Sequence, residues 1–340
     1  MISISCTTEP FEPSLQAPLP QDTLIAEEGC FDFDSLLNNC GIEQEFFLEP
    51  SYYYPAINPL NPSEFVYYKD KQVFKYDMNT GTSVQLASNI QVISRMDWGR
   101  TGWIVFSNQS WKVWKLKDDG SELQQISFNP RDIGPEFNDA GNAIIYLRNM
   151  EYSDVELKEN PELAYRSQMI ICKIDGSSLD SICIIDSNQC KGWDISSWNE
   201  NDQIAHIDGK STAIGEPLHY GISSYNVSTN ENTTLYFDDV SYLTITDIEW
   251  HPNGTDIFFI THYGNNRGTI YKVSTTGGEP TLIKEGCDNR FYEDMSISPD
   301  GDFMLVQKGT AYVEGCDTYT KRSIVKMDLY GNNEQLINLK

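Results

Sequence analysis

The residues best suited to binding chemistry stand just ahead of six similar segments of this chain. Tyrosine, tryptophan, arginine and aspartate recur there, and such side chains dominate recognition surfaces because they combine apolar area with directional polar groups. The candidate binding residues are Tyr53, Arg95, Arg131, Asp132, Trp193, Asp194, Asp247, Arg290, Tyr292, Glu293 and Asp294. A packing role is the alternative for each, because tyrosine and tryptophan are abundant throughout the sequence.

Catalytic and metal-binding signatures do not accompany these residues. The sequence contains no GxSxG, HExxH or P-loop motif. Of the four histidines, His251 falls in a predicted turn and His206 in a predicted strand, where we expect structural roles. His219 and His262 lie in predicted loops without a triad or metal set nearby in sequence. We therefore assign no catalytic residue, no metal ligand and no cofactor.

The elements that position the candidates form an internal repeat. An aromatic residue or isoleucine, a turn rich in Asn, Asp and Gly, and an alternating apolar run recur six times, starting at Ile57, Trp98, Phe137, Trp198, Trp250 and Ile297. A second strand ending in a polar turn follows each copy, as in VFKYDMNTG and IYKVSTTGG, and a short strand comes after it. Asn, Asp and Gly tolerate the positive φ of tight turns, and alternation indicates half-buried strands. Each unit is thus about four strands.

Four-stranded units at spacings of 39 to 61 residues are typical of a β-propeller. The sequence predicts an all-β fold, a six-bladed β-propeller of four-stranded antiparallel blades over residues 50–340. The connections that enter the innermost strands converge at one mouth of the central channel, where we expect the candidate residues to meet. We expect residues 42–48 to help close the ring or cover its edge, and residues 151–166 to form an excursion outside it. A ring that satisfies its own edges predicts a monomer.

The repeat resembles a known family. Ser298-Pro299-Asp300-Gly301 matches the tetrapeptide of the WD40-like (PD40) repeats in TolB-type propellers, and WHPNG from Trp250 is a close variant. The six copies in register extend this similarity over residues 50–340. The resemblance implies a protein of the bacterial cell envelope with a protein partner, since TolB-type propellers recognise a peptidoglycan-associated lipoprotein. About 50 residues precede the first unit, fewer than the α/β domain of TolB needs, so we do not expect TolB itself.

Residues 1–49 are predicted to be a tether and leading segment. The stretch Ser5-Cys6-Thr7-Thr8, followed by a region rich in proline and glutamate, resembles the processed start of a bacterial lipoprotein. We expect Cys6 to be lipidated and the tether to hold the domain away from a membrane. Lipid anchoring is the one membrane attachment that the sequence predicts, because no apolar run approaches the ~18 to 20 residues that cross a bilayer.

Eight cysteines indicate an oxidising compartment, because none lies in a CxxC or zinc-binding spacing. Cys172 and Cys183 flank a predicted hairpin symmetrically and form our first predicted disulfide. Cys287 with Cys316 and Cys30 with Cys40 are the further predicted pairs, and Cys190 competes for Cys183. Buried, reduced cysteines are the alternative.

Charge narrows the choice of partner. Lys and Arg total 24 against 50 Asp and Glu, a net charge of -26 that repels nucleic acid and anionic membrane surfaces. The sequence predicts a secreted or envelope-anchored binding propeller without catalytic activity that recognises a protein, peptide or glycan at the channel mouth. The alternative is a hydrolase or lyase, with or without a metal, because propeller active sites are assembled from distant loops.

Overall fold

The computed structural model describes residues 46–48, 53–129, 131–149, 167–182, 197–210, 219–238, 243–263, 266–287, 289–314 and 317–339. Within these ranges the chain forms strands and turns without a helix, and so has no helix that could cross a membrane. All of them belong to one compact unit, Phe31–Lys340. The predicted tether with Cys6, Cys30 and Cys40, and the predicted excursion at 151–166, lie outside the described residues.

Strands β2 to β25 form six antiparallel sheets in chain order, and each sheet is one blade. Blade 1 contains β2 (Tyr53–Ile57), β3 (Glu64–Lys69), β4 (Gln72–Asp77) and β5 (Thr82–Ser88). Blade 2 contains β6 (Asp97–Gly99), β7 (Trp103–Ser107), β8 (Val113–Lys117) and β9 (Leu123–Gln125). Blade 3 contains β10 (Asp132–Phe137), β11 (Ala143–Asn149), β12 (Ser167–Lys173) and β13 (Ser178–Ile182).

The other three blades repeat this arrangement. Blade 4 contains β14 (Ser197–Trp198), β15 (Gln203–Lys210), β16 (His219–Asn226) and β17 (Glu231–Phe237). Blade 5 contains β18 (Leu243–Trp250), β19 (Asp256–Tyr263), β20 (Asn266–Ser274) and β21 (Thr281–Lys284). Blade 6 contains β22 (Arg290–Ile297), β23 (Phe303–Glu314), β24 (Asp317–Asp328) and β25 (Gln335–Leu336). The predicted fold, a six-bladed propeller with four-stranded blades, is therefore confirmed.

The core of the protein lies in the seams between blades, with one apolar cluster in each of the six seams. Adjacent residues of one strand face opposite seams because side chains alternate across a sheet. Ile144 of β11, for example, packs against blade 2, whereas Ile145 packs against blade 4. Strands buried on both faces explain why the apolar runs of the repeat contain consecutive large side chains.

The ring is closed. Innermost strands of neighbouring blades contact each other from β2 through β6, β10, β14 and β18 to β22, and β22 in turn contacts β2. The additional strand β1 (Phe46–Leu48) runs parallel to β24 at Thr318–Thr320, while β25 pairs with the same strand at Val325 and Lys326. The outer edge of blade 6 is thus shared by segments from before blade 1 and after β24. Phe46–Leu48, the described part of residues 42–48, thus covers the outer edge of blade 6, which is one of the two roles expected for that segment.

In five of the six copies, the side chain of the residue after the repeat residue caps the turn that leaves the innermost strand; the exception is Gly99 of blade 2. Ser298 Oγ accepts hydrogen bonds from the main-chain N–H groups of Asp302 (3.1 Å) and Phe303 (3.0 Å). His251 occupies the corresponding position in blade 5, and its Nδ1 accepts the N–H of Asn253 at 3.0 Å. The structural role predicted for His251 is therefore confirmed: the ring serves as a turn acceptor, as Asn and Ser side chains do elsewhere.

The predicted disulfide between Cys172 and Cys183 is not formed, because Cys172 is a free, buried cysteine. The hairpin turns at 174–176, ahead of the midpoint that the symmetric spacing assumed, so Cys172 lies opposite Ser178, while Ile182 lies opposite Met169. Burial raises the pKa of the Cys172 thiol to about 12. Cys287, in contrast, is disulfide-bonded, while its predicted partner Cys316 and the competing Cys190 lie outside the described residues.

Candidate functional site

The residue before each repeat residue lies on the innermost strand of its blade and is polar in five of the six copies. In four of these its side chain accepts the main-chain N–H of the next blade's repeat residue, which links neighbouring innermost strands. These acceptor and donor pairs are Asp97 with Phe137 (2.7 Å), Glu136 with Trp198 (3.0 Å), Ser197 with Trp250 (3.1 Å) and Ser296 with Ile57 (3.1 Å). A hydrogen bond to a buried N–H satisfies a group that would otherwise be costly to bury. These side chains therefore hold the blades together around the axis.

Arg95 extends from the connection into blade 2 to acceptors of blade 5, which lies diametrically opposite in a six-membered ring. Its Nη1 donates to Asp247 Oδ1 at 3.0 Å and to the carbonyl of Ile248 at 2.8 Å, and Nη2 donates to Glu249 Oε2 at 2.6 Å. Glu136 Oε2 of blade 3 lies 3.5 Å from Nη2. Arg95 is 9% exposed. We call Arg95, Asp97, Glu136, Asp247 and Glu249 the axial cluster.

The axial cluster is a buried site with excess negative charge. Burial raises the pKa of Asp97 to about 6 and that of Asp247 to about 7, against the opposing effect of Arg95. The pKa of Glu136 is also raised, again mainly by burial. Burial alone would lower the pKa of Arg95, but the surrounding carboxylates, Asp294 included, hold it above its ordinary value. Removal of carboxylates from water disfavours their charged form, and one guanidinium offsets this only in part.

Three of the predicted binding residues meet near the axis. Arg95 and Asp247 are in direct contact, and Asp294 acts electrostatically on Arg95 from blade 6. Asp247 Oδ2 also accepts the N–H of Met295 at 2.8 Å, which joins blades 5 and 6. A register shift in the innermost strand lies between Ile245 and Asp247, and blade 6 has the equivalent shift before Asp294. The sequence thus identified part of a real cluster, but its members are buried and bind one another.

Blade 6 directs its other predicted residues elsewhere. Tyr292 is buried between blades 5 and 6, where its hydroxyl donates to Glu334 at 2.9 Å. Glu293 binds Arg322 through both carboxylate oxygens, at 2.6 and 3.1 Å. Arg290 donates its main-chain N–H to the carbonyl of Cys287 at 3.0 Å. Tyr292 in particular lies in the core, away from the surface predicted for it, because the register shift turns Asp294 towards the axis.

The remaining candidates divide between blades 1, 3 and 4. Asp132 is buried and accepts two hydrogen bonds from Arg148, at 2.7 and 3.0 Å. Arg131 is exposed and has a positive φ of 63°. The backbone of Tyr53 pairs with Tyr68. Trp193 and Asp194 lie outside the described residues.

Two exposed aromatic residues on the same side of the ring as the channel mouth were not among the candidates. Trp111, in the turn between β7 and β8, is 39% exposed, and Phe128, between β9 and β10, is 77% exposed. The two connections lie side by side, since Asp132 donates its N–H to the carbonyl of Trp111 and Lys112 Nζ donates to that of Phe128 at 2.7 Å. Asp97, Glu136 and Glu249 were also missed, although the polar residue before each aromatic was a recurring signal.

The part of the chain that the structure describes contains no group of three or more His, Cys, Asp or Glu side chains placed to hold a metal ion. The axial carboxylates are instead occupied by Arg95 and by main-chain N–H groups.

This chain is similar to proteins of known structure in its fold. No protein-family model and no curated protein matches the sequence. The putative TolB from Agrobacterium tumefaciens is 11% identical, with a TM-score of 0.57 over 78% of this chain and 88% of that one. An oligogalacturonate lyase from Vibrio parahaemolyticus is 10% identical, with a TM-score of 0.52 over 84% and 77% of the two chains. An acylaminoacyl peptidase is 10% identical, with a TM-score of 0.52 over 85% of this chain and 52% of that one.

Identities this low establish a shared propeller fold and nothing finer. Proteins named as a TolB, a lyase and a peptidase all share it. Because one fold supports many functions, the function must be argued from the site.

Proposed function

We propose that this chain is a non-catalytic binding module of the bacterial cell envelope that recognises a protein, peptide or glycan at the channel mouth. The main observation behind the proposal is the set of hydrogen bonds by which Arg95 connects blade 2 to blade 5. Because its guanidinium reaches from blade 2 to acceptors of blade 5, protein side chains occupy the axis at that level. A ligand would therefore be recognised on the outer surface of the mouth and not inside the channel. The TolB-type resemblance supports the envelope location and favours a protein partner.

The surface of the mouth has the composition that recognition requires. Trp111 and Phe128 are exposed there beside Arg131. Tryptophan and arginine are the residue types most enriched where interfaces concentrate their binding energy. Two exposed aromatic residues on adjacent connections form a contiguous apolar surface, and contiguous apolar surface marks interaction sites more often than isolated side chains do.

Affinity capture from an envelope extract tests this proposal. The immobilised chain is compared with the variants Trp111→Gly and Phe128→Ser, and with Leu282→Ser as a control, because Leu282 is 52% exposed on the outer strand β21. We expect a discrete partner that the wild type and the control retain and that both mouth variants lose. Equal recovery by all four proteins would contradict recognition at the mouth.

A hydrolase or lyase is the second candidate, and the raised pKa values of the axial carboxylates favour it. Groups that titrate near neutral pH are suited to general acid and base catalysis. Asp97 and Asp247, however, already accept main-chain N–H groups that link neighbouring blades. Turnover of peptide or polysaccharide substrates that disappears in both Asp97→Asn and Asp247→Asn, with the fold retained, would favour catalysis over binding.

A further inference from the structure

Trp111 adopts a backbone conformation that its side chain does not favour. Its φ is 55°, in the left-handed region where glycine or asparagine is the usual residue of a hairpin turn. The turn is held by the N–H of Trp111 donating to the carbonyl of Asn108 at 2.8 Å. Left-handed backbone costs an ordinary residue about 1–2 kcal/mol, and strain of this kind concentrates at functional sites. A partly exposed tryptophan at this position is not explained by core packing.

The surroundings of Trp111 form a small patch of mixed character, which we call the Trp111 patch and define as Trp111, Lys112, Phe128 and Arg131. Phe128 supplies a second exposed aromatic ring, and Lys112 and Arg131 supply cationic groups beside it. Arg131 shares the left-handed backbone of Trp111, with a φ of 63°. Two adjacent connections on this side of the ring thus both present a bulky side chain from a conformation that favours glycine.

The charge of this region is opposite to that of the whole chain. The patch itself contains two cationic side chains, Lys112 and Arg131, and no Asp or Glu, whereas the chain as a whole carries a net charge of -26. A long polyanion would meet that overall repulsion, but a short acidic segment could approach the patch alone, because charges beyond about 10 Å are screened at physiological salt. The patch therefore complements a ligand that is acidic, short and apolar in part.

We propose that the Trp111 patch docks a short acidic peptide segment with an aromatic or large aliphatic anchor. The inference rests on the proposed function and names its ligand class. The anchor packs against Trp111 and Phe128, where aromatic contacts supply affinity. The acidic groups of the peptide lie against Lys112 and Arg131, which set its register and its preference over basic sequences.

Fluorescence anisotropy with labelled synthetic peptides tests the ligand class. The first probe is acidic with phenylalanine anchors; the second has lysine for each acidic residue, and the third has serine for each phenylalanine. We expect the wild-type chain to bind the first probe and to bind it more weakly as salt is added. Neither of the other two should bind comparably. Equal binding of the acidic and basic probes would overturn the proposal.

Trp111→Gly is the most informative variant because it removes the indole side chain and also relieves the strain of the left-handed backbone. We expect a melting temperature equal to or above that of the wild type, together with a loss of affinity for the acidic probe of at least about 30-fold. Arg131→Glu should weaken binding, whereas Arg100→Glu should not, although it changes the net charge equally. Arg100 pairs with Asp139 after strand β6, at the opposite end of the blade. Unchanged affinity in Trp111→Gly would overturn the proposal.

Two further outcomes separate this inference from the proposed function. If acidic peptides fail to bind while capture of an envelope partner still depends on Trp111, the ligand class is wrong and recognition at the mouth stands. Capture of a neutral glycan that depends on Trp111 would likewise show that the ligand class is wrong and that recognition at the mouth stands. If light scattering shows a wild-type dimer that Trp111→Gly makes monomeric, the patch is occupied by a second copy of the chain, and the peptide proposal is overturned.

Discussion

Replacement of Arg95 by methionine should destabilise the ring strongly, and by an amount that depends on pH. Methionine retains much of the side-chain volume but provides no charge and no hydrogen-bond donor. The substitution leaves Asp247, Glu249 and Glu136 buried or half-buried without their shared cation. Removal of one partner from a buried ion pair costs about 3–5 kcal/mol, because the remaining charge stays desolvated. We expect a loss of this size at pH 8.

The destabilisation caused by Arg95→Met should be smaller at acidic pH, because the carboxylates that have lost Arg95 can then be protonated and neutral. Arg95 lowers the pKa values of Asp247 and Glu136, so its removal raises both further. The variant then takes up protons on folding over a wider pH range than the wild type. For each carboxylate protonated only in the folded state, the stability difference changes by about 1.4 kcal/mol per pH unit. The destabilisation of Arg95→Met should therefore be smaller at pH 5 than at pH 8.

Urea-induced unfolding, followed by tryptophan fluorescence at several pH values, measures both quantities. Arg100→Met is the matched control, because Arg100 forms an ion pair with Asp139 in which both side chains are more than 40% exposed. Surface pairs of this kind contribute about 0–1 kcal/mol. A loss below about 1 kcal/mol in Arg95→Met, or a loss that does not vary with pH, would refute the role that we assign to the guanidinium.

Three other predictions concern proton binding, close backbone contact and the edge pairing of β1. In urea titrations, the free energy of unfolding of the wild-type chain should increase as the pH is lowered from about 8 to about 5. Asp97 and Asp247 have folded pKa values above the ordinary ~3.9, so the folded state binds more protons than the unfolded state. A decrease in the free energy of unfolding over this range would contradict the raised pKa values of these carboxylates. Burial lowers the pKa of His251, which works in the opposite direction and is removed in His251→Asn. Gly268→Ala should lower the free energy of unfolding, measured by chemical denaturation, by more than about 3 kcal/mol, because the new Cβ would overlap the backbone of Tyr292. Gly254→Ala is the control: its φ is similar, but the nearest atom, Asn201 Nδ2, is 3.5 Å away, so it should cost only the ~1–2 kcal/mol of left-handed strain. Deletion of residues 1–48 should accelerate amide hydrogen exchange at 318–320, the partners of β1, and unchanged protection there would argue against the pairing.

The fold could be predicted because the signal was repeated. Any one of the six segments is weak, but the same turn chemistry and alternation in register restrict the chain to equivalent units around an axis. The edge pairing of β1 was predicted only as a role for residues 42–48, because parallel pairing with β24 depends on contacts far apart in sequence. The Cys172–Cys183 bridge failed for a local reason. Its symmetric spacing assumed a turn centred between Ser177 and Ser178, but the chain turns at 174–176, so Ser178 lies opposite Cys172.

The site was predicted in part. Arg95 and Asp247 could be placed near the axis from their position in the repeat, but the register shift that sends Tyr292 into a seam and Asp294 towards the axis has no clear sequence signature. The inter-blade role of Asp97 and Glu136 was readable in principle, since a polar residue precedes five of the six repeat residues. Trp111 could not be identified in this way, because its distinguishing feature is its backbone angle.

The pairing of Phe46–Leu48 with Thr318–Thr320 has a consequence for how the chain reaches this structure during synthesis. The two segments are about 270 residues apart, so the edge of the last blade cannot be completed until nearly every other blade has been made. At ribosomal rates of about 5–20 residues per second, the early blades wait for tens of seconds with an unpaired seam. During that interval the apolar surface that blade 1 will bury against blade 6 is open to the chaperones and proteases that act on nascent chains.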